Sequence, residues 1–192
     1  MAFARGIQRG IRRIALAGML LLPVAYGFAS HPKTLVPEPQ SRDDYDWSAR
    51  HAEVLALHQV MQPDIVFIGD SITHHWGGEP KGKRVVSQTS WDALFAGWKV
   101  SNLGFGFDYV DNAYYRVQQG ELDGISPRLI FVNIGTNNLG FRGDSPTVCA
   151  ANTAALIALI RAKQPSAQIV ILGIYPRREV HLKDKITETN AL

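Results

Sequence analysis

The sequence predicts an α/β domain in which a doubly wound parallel sheet carries flanking helices on both faces, giving three layers. Four short apolar runs, each bounded by turn residues, are the first observation: 65–68, 99–103, 129–134 and 168–172. Three of them are nearly continuous in β-branched and aromatic residues, which is typical of parallel strands that are covered on both faces. Helix-like stretches separate the runs, and this alternation indicates right-handed crossovers within one sheet.

The first 29 residues have the pattern of a signal peptide. Arginines lie at the start, an apolar stretch follows from Ile14 to Ala29, and Gly27 and Ala29 are small residues suited to a cleavage site. Sixteen residues interrupted by Pro23 are short for a membrane-spanning helix, which needs about 20. We therefore expect an exported protein, periplasmic or secreted, without a stable membrane anchor.

The formal charge of +3 comes from this leader. Residues 1–29 contain four arginines and no acidic residue, so removing these four from the 20 Lys and Arg leaves 16 against 17 Asp and Glu. The remaining domain is close to neutral. Nucleic acid and anionic membrane surfaces are therefore not expected as its partners.

Residues 30–46 contain three prolines and clustered charges, a composition typical of a linker or an extended arm. The domain itself is predicted over residues 47–192. It begins with a surface helix over 47–62, which Pro63 ends. Further helices are expected around 91–96, 110–119 and 146–163. The last of these has Ser145 as its N-cap and Pro146 at its first position.

Each of the first three strands ends in a polar turn that contains glycine. These turns are Gly69-Asp70-Ser71, residues 102–108 and residues 135–138. Ligands of such sheets gather at the carboxyl ends of the strands, so the three turns are expected to share one site. Ser71 is placed as a nucleophile at a strand-to-helix turn, and backbone N–H groups together with the Asn137 amide are suited to hold an oxyanion.

Three sequence blocks carry a family resemblance. GDSIT at 69–73, NLGFGFD at 102–108 and GTNN at 135–138 resemble, in order, blocks of the SGNH (GDSL-like) hydrolases. The branch they resemble is that of the platelet-activating factor acetylhydrolase catalytic subunits. Further matches lie at 115–122 and 172–177, so the resemblance spans roughly residues 47–192.

The resemblance implies an SGNH/flavodoxin-like fold that hydrolyses small acyl esters, such as acetyl esters, of lipid or carbohydrate. It also implies the site residues. Ser71 would be the nucleophile and one backbone oxyanion donor, Phe107 a second backbone donor at a position where the family usually has glycine, and Asn137 the side-chain donor. The candidates for substrate contact are Asp70, His75, Asp108 and Asn138, and Asp70 is also suited to fixing the turn.

The family takes its catalytic histidine and aspartate from an Asp-x-x-His segment, which residues 1–192 do not contain. The chain is therefore expected to stop before the last strand, with the pair lying beyond residue 192. Substitutes within the chain would be His74 or His75, or the reversed pair His181 and Asp184. The alternative is a truncated, non-hydrolytic remnant that binds acyl or glycan ligands. Relatives of this type form dimers, which leaves a homodimer open.

No metal or organic cofactor is expected. The sequence has no His/Cys/Asp cluster with metal-ligand spacing, and the glycines at 104–106 lack the third glycine of a dinucleotide fingerprint. Cys149, the single cysteine, is expected to be a buried structural thiol. Arg116 either anchors its helix through a salt bridge or binds an anionic substrate.

Overall fold

The computed structural model describes residues 32–41 and 44–192. A four-stranded, all-parallel sheet with the order β2-β1-β3-β4 forms its centre. The strands are β1 (Ile65–Gly69), β2 (Val100–Gly104), β3 (Leu129–Asn133) and β4 (Gln168–Ile171). This sheet confirms the predicted fold class. The predicted signal peptide lies outside the described residues.

Within the described residues, six α-helices connect and cover the strands. They are α1 (Trp47–Val60), α2 (Ser71–His74), α3 (Gln88–Leu94), α4 (Val110–Arg116), α5 (Pro146–Lys163) and α6 (Lys183–Ala191). The Ser145 hydroxyl accepts a hydrogen bond from Val148 N, so this serine caps α5 as predicted, with Pro146 in the first turn. No helix within 32–41 and 44–192 has the length and hydropathy needed to cross a membrane.

The two faces of the sheet bury different residues of each strand, because side chains alternate along a strand. On one face, Val66 and Ile68 of β1 pack in a large cluster with residues from α1, α4 and α5, among them Val54, Val110 and Leu156. On the other face, Ile65 and Phe67 pack against α3 in an aromatic cluster containing Trp91 and Phe95. Helices on both faces give the three expected layers.

Two helices differ from their predicted bounds by three residues. The helix predicted over 110–119 ends as an α-helix at Arg116 and continues as a π-helical turn over Val117–Glu121. Gly120 in this turn has a φ of +102°, a conformation that glycine adopts without steric cost, and it stops the helix there. The helix around Trp91 begins three residues earlier than predicted, at Gln88.

Residues 32–41 run as an extended arm over the domain. Leu35 is buried in the main core, and Asp111 of α4 accepts a hydrogen bond from the backbone N–H of Val36 at 2.9 Å. The Thr34 hydroxyl donates to Asn152 Oδ1 of α5. A smaller cluster with Cys149, Ile174 and Ile186 fixes α6 against α5, and Cys149 is fully buried there, as predicted.

Candidate active site

The sheet order brings the three glycine-containing turns together. β1 lies between β2 and β3, so the turn that follows β1 is flanked by the turns that follow the other two strands. The strand pairs are in register at their ends, where Gly69 of β1 is opposite Gly104 of β2 and Asn133 of β3. The carboxyl ends of parallel strands are the usual ligand site of such sheets. Ser71 is therefore central in the candidate site.

Ser71 is held by a tight strand-to-helix turn. It is the first residue of α2, and Asp70 caps the helix by accepting a hydrogen bond from Ile72 N at 2.9 Å. A Cβ added at Gly69 would lie 2.2 Å from Thr73 Oγ1 and 2.7 Å from the Asn133 carbonyl oxygen. Close packing, rather than an unusual φ, therefore requires glycine before the nucleophile position.

Asp70 acts on the turn rather than on the cleft surface. Its side chain is fully buried, and its Oδ2 atom has no hydrogen-bond partner among the described residues. Burial raises the pKa of Asp70 from 3.8 to about 6, while the hydrogen bond from Ile72 and the cation of Arg177 oppose that rise. The ionised carboxylate is thus the costly form in the folded protein.

Replacing Asp70 with Asn is expected to stabilise the protein at pH 8 and to have little effect near pH 4. The pKa of Asp70 is higher in the folded state, so its contribution to stability is full below about pH 4 and is lost as the pH rises through about 6. The difference in the free energy of unfolding reaches roughly 3 kcal/mol at most. Urea unfolding at pH 4.5 and pH 8 measures this difference.

The matched control for that experiment is Asp46→Asn. Asp46 caps α1 by accepting from Ala49 N, but its side chain is exposed, so the two variants share the capping role and differ in burial. A stability difference for Asp70→Asn that does not change with pH would contradict the assignment of a raised pKa.

The second turn holds its predicted donor in a strained conformation. Phe107 has a φ of +63° and is the only described non-glycine residue with a positive φ. The left-handed region costs a residue with a Cβ about 1–2 kcal/mol, which explains why glycine suits this position. The Phe107 carbonyl accepts a hydrogen bond from Gln40 of the arm at 2.9 Å, and its ring centroid lies 6.0 Å from that of Phe141.

Asn137 connects the third turn to the second. Its side chain is buried, and Nδ2 donates a hydrogen bond to the Asp108 carbonyl oxygen at 3.0 Å. One hydrogen of the amide thus fixes the side chain beside the Phe107–Asp108 backbone, and the other remains for a ligand. The structure therefore places the Asn137 amide, one predicted oxyanion donor, against the backbone of the turn that holds a second one, Phe107 N–H.

Two candidates for substrate contact lie in the interior instead. The Asp108 carboxylate is fully buried and accepts hydrogen bonds from Trp47 Nε1 and Arg116 Nε, both at 2.8 Å. Asn138 is also fully buried, where its Oδ1 accepts from Val110 N and its Nδ2 donates to Asp144. These side chains hold the two turns in place, and the structure does not bring them to the cleft surface.

Arg116 forms the predicted salt bridge. It is fully buried between Asp108 and Glu121, and its guanidinium carbon lies 3.9 Å from the ring centroid of Phe105. Burial raises the pKa of Asp108, and the cation of Arg116 opposes that rise. The side chain therefore anchors α4 below the second turn and does not face a substrate.

His74 has a structural position. Its Nδ1 accepts a hydrogen bond from Gly106 N at 3.0 Å, and its ring is buried between the first and second turns. Burial, followed by the cation of Arg50, lowers the pKa of His74 to about 3, so the ring is neutral at pH 7. It links the two turns and is not placed as a base for Ser71.

His75 lies closer to the nucleophile. It borders the same cavity as Ser71, but its buried Nδ1 atom has no hydrogen-bond partner among the described residues. Burial lowers its pKa, and the nearby carbonyl of Arg84 opposes that change by accepting a hydrogen bond. His181 is exposed, lies in a 3-10 turn (Val180–Leu182), and does not border this cavity.

A cavity of about 540 Å³ opens beside Ser71. Its walls are mainly apolar and aromatic, and it is bordered by residues from the ends of β1, β3 and β4, from α2 and from the segment before α3. The apolar and aromatic members of the wall are Phe67, Ile72, Trp76, Val86, Leu172 and Tyr175. This size and composition match those of small-molecule sites in proteins.

Asn102 is a residue that sequence reasoning did not single out. It is fully buried in the middle of β2, where Nδ2 donates to the carbonyls of Thr73 and Gly77 and Oδ1 accepts from Gly104 N. The side chain therefore ties the α2 turn to the neighbouring strand. Its position at the start of the NLGFGFD block was the available signal. In the part of the chain that the structure describes, no three His, Cys, Asp or Glu residues are grouped to hold a metal ion.

Comparisons with known proteins agree with this arrangement. The sequence profile of the GDSL-like Lipase/Acylhydrolase family matches residues 67–190. Human platelet-activating factor acetylhydrolase IB subunit alpha1 is 30% identical over 159 residues, which cover 81% of this chain and 63% of the human protein. The rat alpha2 subunit is 30% identical over 151 residues, covering 78% of this chain and 61% of its own length.

Solved structures share the fold. A member of the lipolytic G-D-S-L family from Veillonella parvula has a TM-score of 0.53 at 22% identity, covering 66% of this chain and 68% of its own. The chain spans about 63% of the length of the human relative, and its profile match includes the Ser71, Phe107 and Asn137 turns. We conclude that the chain belongs to the GDSL-like Lipase/Acylhydrolase family.

Proposed function

We propose that this protein is a serine ester hydrolase that acts on small acyl esters of lipid or carbohydrate, with Ser71 as its nucleophile. One observation carries the proposal. Ser71 begins α2 between two turns that hold a backbone N–H and a side-chain amide, and it borders an apolar cavity of about 540 Å³. A nucleophile, oxyanion donors and a substrate cavity therefore meet at one edge of the sheet.

In this proposal, the Ser71 hydroxyl attacks the acyl carbon and its proton passes to a base. The carbonyl oxygen becomes an oxyanion, which accepts hydrogen bonds from the N–H groups of Ser71 and Phe107 and from the Asn137 amide. Each such donor contributes a factor on the order of 10²–10³ in turnover. Collapse of the intermediate releases the alcohol, and water then removes the acyl group from the serine.

The base is the part of the proposal that rests on the family resemblance. No side chain among residues 32–41 and 44–192 forms a hydrogen bond with the Ser71 hydroxyl, and His75 is the histidine that borders its cavity. The family resemblance implies a His/Asp pair from an Asp-x-x-His segment. We propose that this pair activates Ser71, as the family pattern implies.

A second candidate function is binding of acyl or glycan ligands without turnover. The same observation favours it, because a serine hydroxyl without a base is a poor nucleophile at neutral pH. The cavity and the oxyanion donors would still hold an ester in this case.

Covalent labelling with a fluorophosphonate separates the two functions. An activated Ser71 is expected to displace fluoride from the reagent and to carry one phosphonyl group, found by intact mass and by mapping of the peptide. The protein unfolded in urea serves as the control, because it retains every serine and loses the site. Absence of the label, together with retained binding of an ester ligand, would favour the binding protein and contradict the hydrolase.

A further inference from the structure

The side chains of two phenylalanines, Phe107 and Phe141, have no role in the chemistry above. Phe107 keeps a large side chain at a backbone position with a φ of +63°, where glycine would avoid the steric cost. Strained residues persist where the surrounding structure holds them, and they concentrate at functional sites. The N–H group of Phe107 can bind an oxyanion without this side chain, so the proposed oxyanion role does not explain why the ring is present.

Phe141 provides the second ring of the pair. It lies in the π-helical turn Asn138–Arg142, directly after Asn137, and is 50% exposed. The two ring centroids are 6.0 Å apart at an angle of 54°, so their faces form an angled apolar surface. This surface follows β2 and the turn of Asn137 at the carboxyl edge of the sheet. Phe107 and Phe141 do not border the 540 Å³ cavity at Ser71.

A charged pair, Arg177 and Glu179, lies beside the Phe141 ring. The Arg177 guanidinium carbon lies 5.7 Å from the Phe141 centroid, and Arg177 is hydrogen-bonded to Glu179. Arg142 donates to Asp111 and Asp144 through Nε and Nη2, and its Nη1 makes no hydrogen bond within the described residues. The side chains of Arg177 and Glu179 are 23% and 42% exposed, so they are accessible to a ligand on the Phe141 ring.

We infer that Phe107 and Phe141 form a subsite for a sugar ring in the alcohol portion of the ester. This inference rests on the proposed function. A pyranose presents one apolar C–H face and a rim of hydroxyls, and this combination matches aromatic faces bordered by guanidinium and carboxylate groups. An alkyl chain has no hydroxyl to satisfy those groups. With the carbonyl oxygen held by Asn137, the acyl group of the ester enters the apolar cavity. The sugar of the alcohol portion then lies across the two phenylalanine rings.

Binding in a Ser71→Ala background tests the subsite without any turnover. The probes are methyl 6-O-acetyl-β-glucopyranoside, an acetyl ester whose sugar ring keeps its other hydroxyls free, and hexyl acetate, whose alcohol is an alkyl chain. Calorimetry or ligand NMR gives each Kd. Adding Phe141→Ala is expected to raise the Kd for the glucoside by about three- to tenfold, because an aromatic contact contributes about 0.5–1.5 kcal/mol. The Kd for hexyl acetate should change less than twofold.

The matched control is Trp98→Ala in the same background. Trp98 is 49% exposed and lies just before β2, at the amino ends of the strands and away from the three turns, so both variants remove a half-exposed aromatic ring. This variant is expected to leave both Kd values unchanged. Phe107→Gly keeps the backbone N–H and is expected to raise the Kd for the glucoside by the same factor as Phe141→Ala.

Three results would overturn the inference: an unchanged Kd for the glucoside in Phe141→Ala, an equal loss for hexyl acetate, or the same loss in Trp98→Ala. Equal losses for both probes would identify an alkyl subsite. Failure of the hydrolase proposal is separate, because it is read from fluorophosphonate labelling of the wild type. Glucoside binding that depends on Phe141 would stand with or without that label.

Discussion

Replacing Ser71 with Ala is expected to lower kcat for p-nitrophenyl acetate by on the order of 10⁴–10⁶, with the fold retained. The substitution removes the only atom that forms the acyl-enzyme bond in the proposed mechanism. The backbone donors and the Asn137 amide remain, so a small residual rate over water is expected. Ser71 is half-buried and its hydroxyl makes no hydrogen bond among the described residues, so the midpoint of urea unfolding should not fall.

Two serine variants separate nucleophilic loss from general effects. Ser87→Ala removes a hydroxyl from the wall of the same cavity, where Ser87 makes no side-chain cap bond to α3, and it should lose far less than Ser71→Ala. Ser166→Ala changes an exposed turn after α5 and should retain wild-type turnover. Equal turnover by wild type and Ser71→Ala, measured as p-nitrophenol release above buffer, would contradict the hydrolase proposal and leave the binding function.

The fold was predictable because its signals are local. Runs of β-branched and aromatic residues mark three of the four strands, and Ser145 with Pro146 marks the start of α5, so most of the sheet and the long helix follow from neighbouring residues. The end of α4 was not predictable to the residue. Val117–Gln119 are compatible with a continuing helix, and Gly120 is what adopts the left-handed conformation.

The site was predictable only at the level of its turns. Which side chains face the cleft depends on contacts between segments far apart in the sequence. Asp108 bonds to Trp47 of α1, 61 residues away, and Asn138 bonds to Val110, 28 residues away. Such partners leave no local pattern, so two interior residues looked like substrate contacts. The positive φ of Phe107 was likewise hidden, because phenylalanine gives no sign of it.

Replacing Arg116 with Met is expected to lower the free energy of unfolding by about 3–5 kcal/mol at pH 8. Arg116 is fully buried and donates to Asp108, to Glu121 and to the Leu103 carbonyl oxygen at 3.3 Å. Its removal leaves two carboxylates in the interior, and among the described residues His51 and Trp47 are their remaining side-chain hydrogen-bond partners. A buried charge without its counter-ion destabilises the protein far more than the ion pair stabilised it. Urea unfolding followed by circular dichroism measures the loss.

The pH dependence of that loss distinguishes an unpaired charge from a simple packing defect. Burial already raises the pKa of Asp108 above its ordinary value of 3.8, and without the cation of Arg116 it rises further. Stability from such a group is present at low pH and is lost as the pH rises, so the loss should be smaller at pH 5 than at pH 8. A packing defect lowers the free energy of unfolding by the same amount at both pH values.

The control is Lys81→Met, which breaks an ion pair with Glu79 whose side chains are 66% and 55% exposed. Its loss in the free energy of unfolding should be less than about 1 kcal/mol at either pH. In the double variant Arg116→Met/Glu121→Gln one buried charge is gone, so part of the stability should return at pH 8; no recovery there would show that the carboxylates are not the source of the loss.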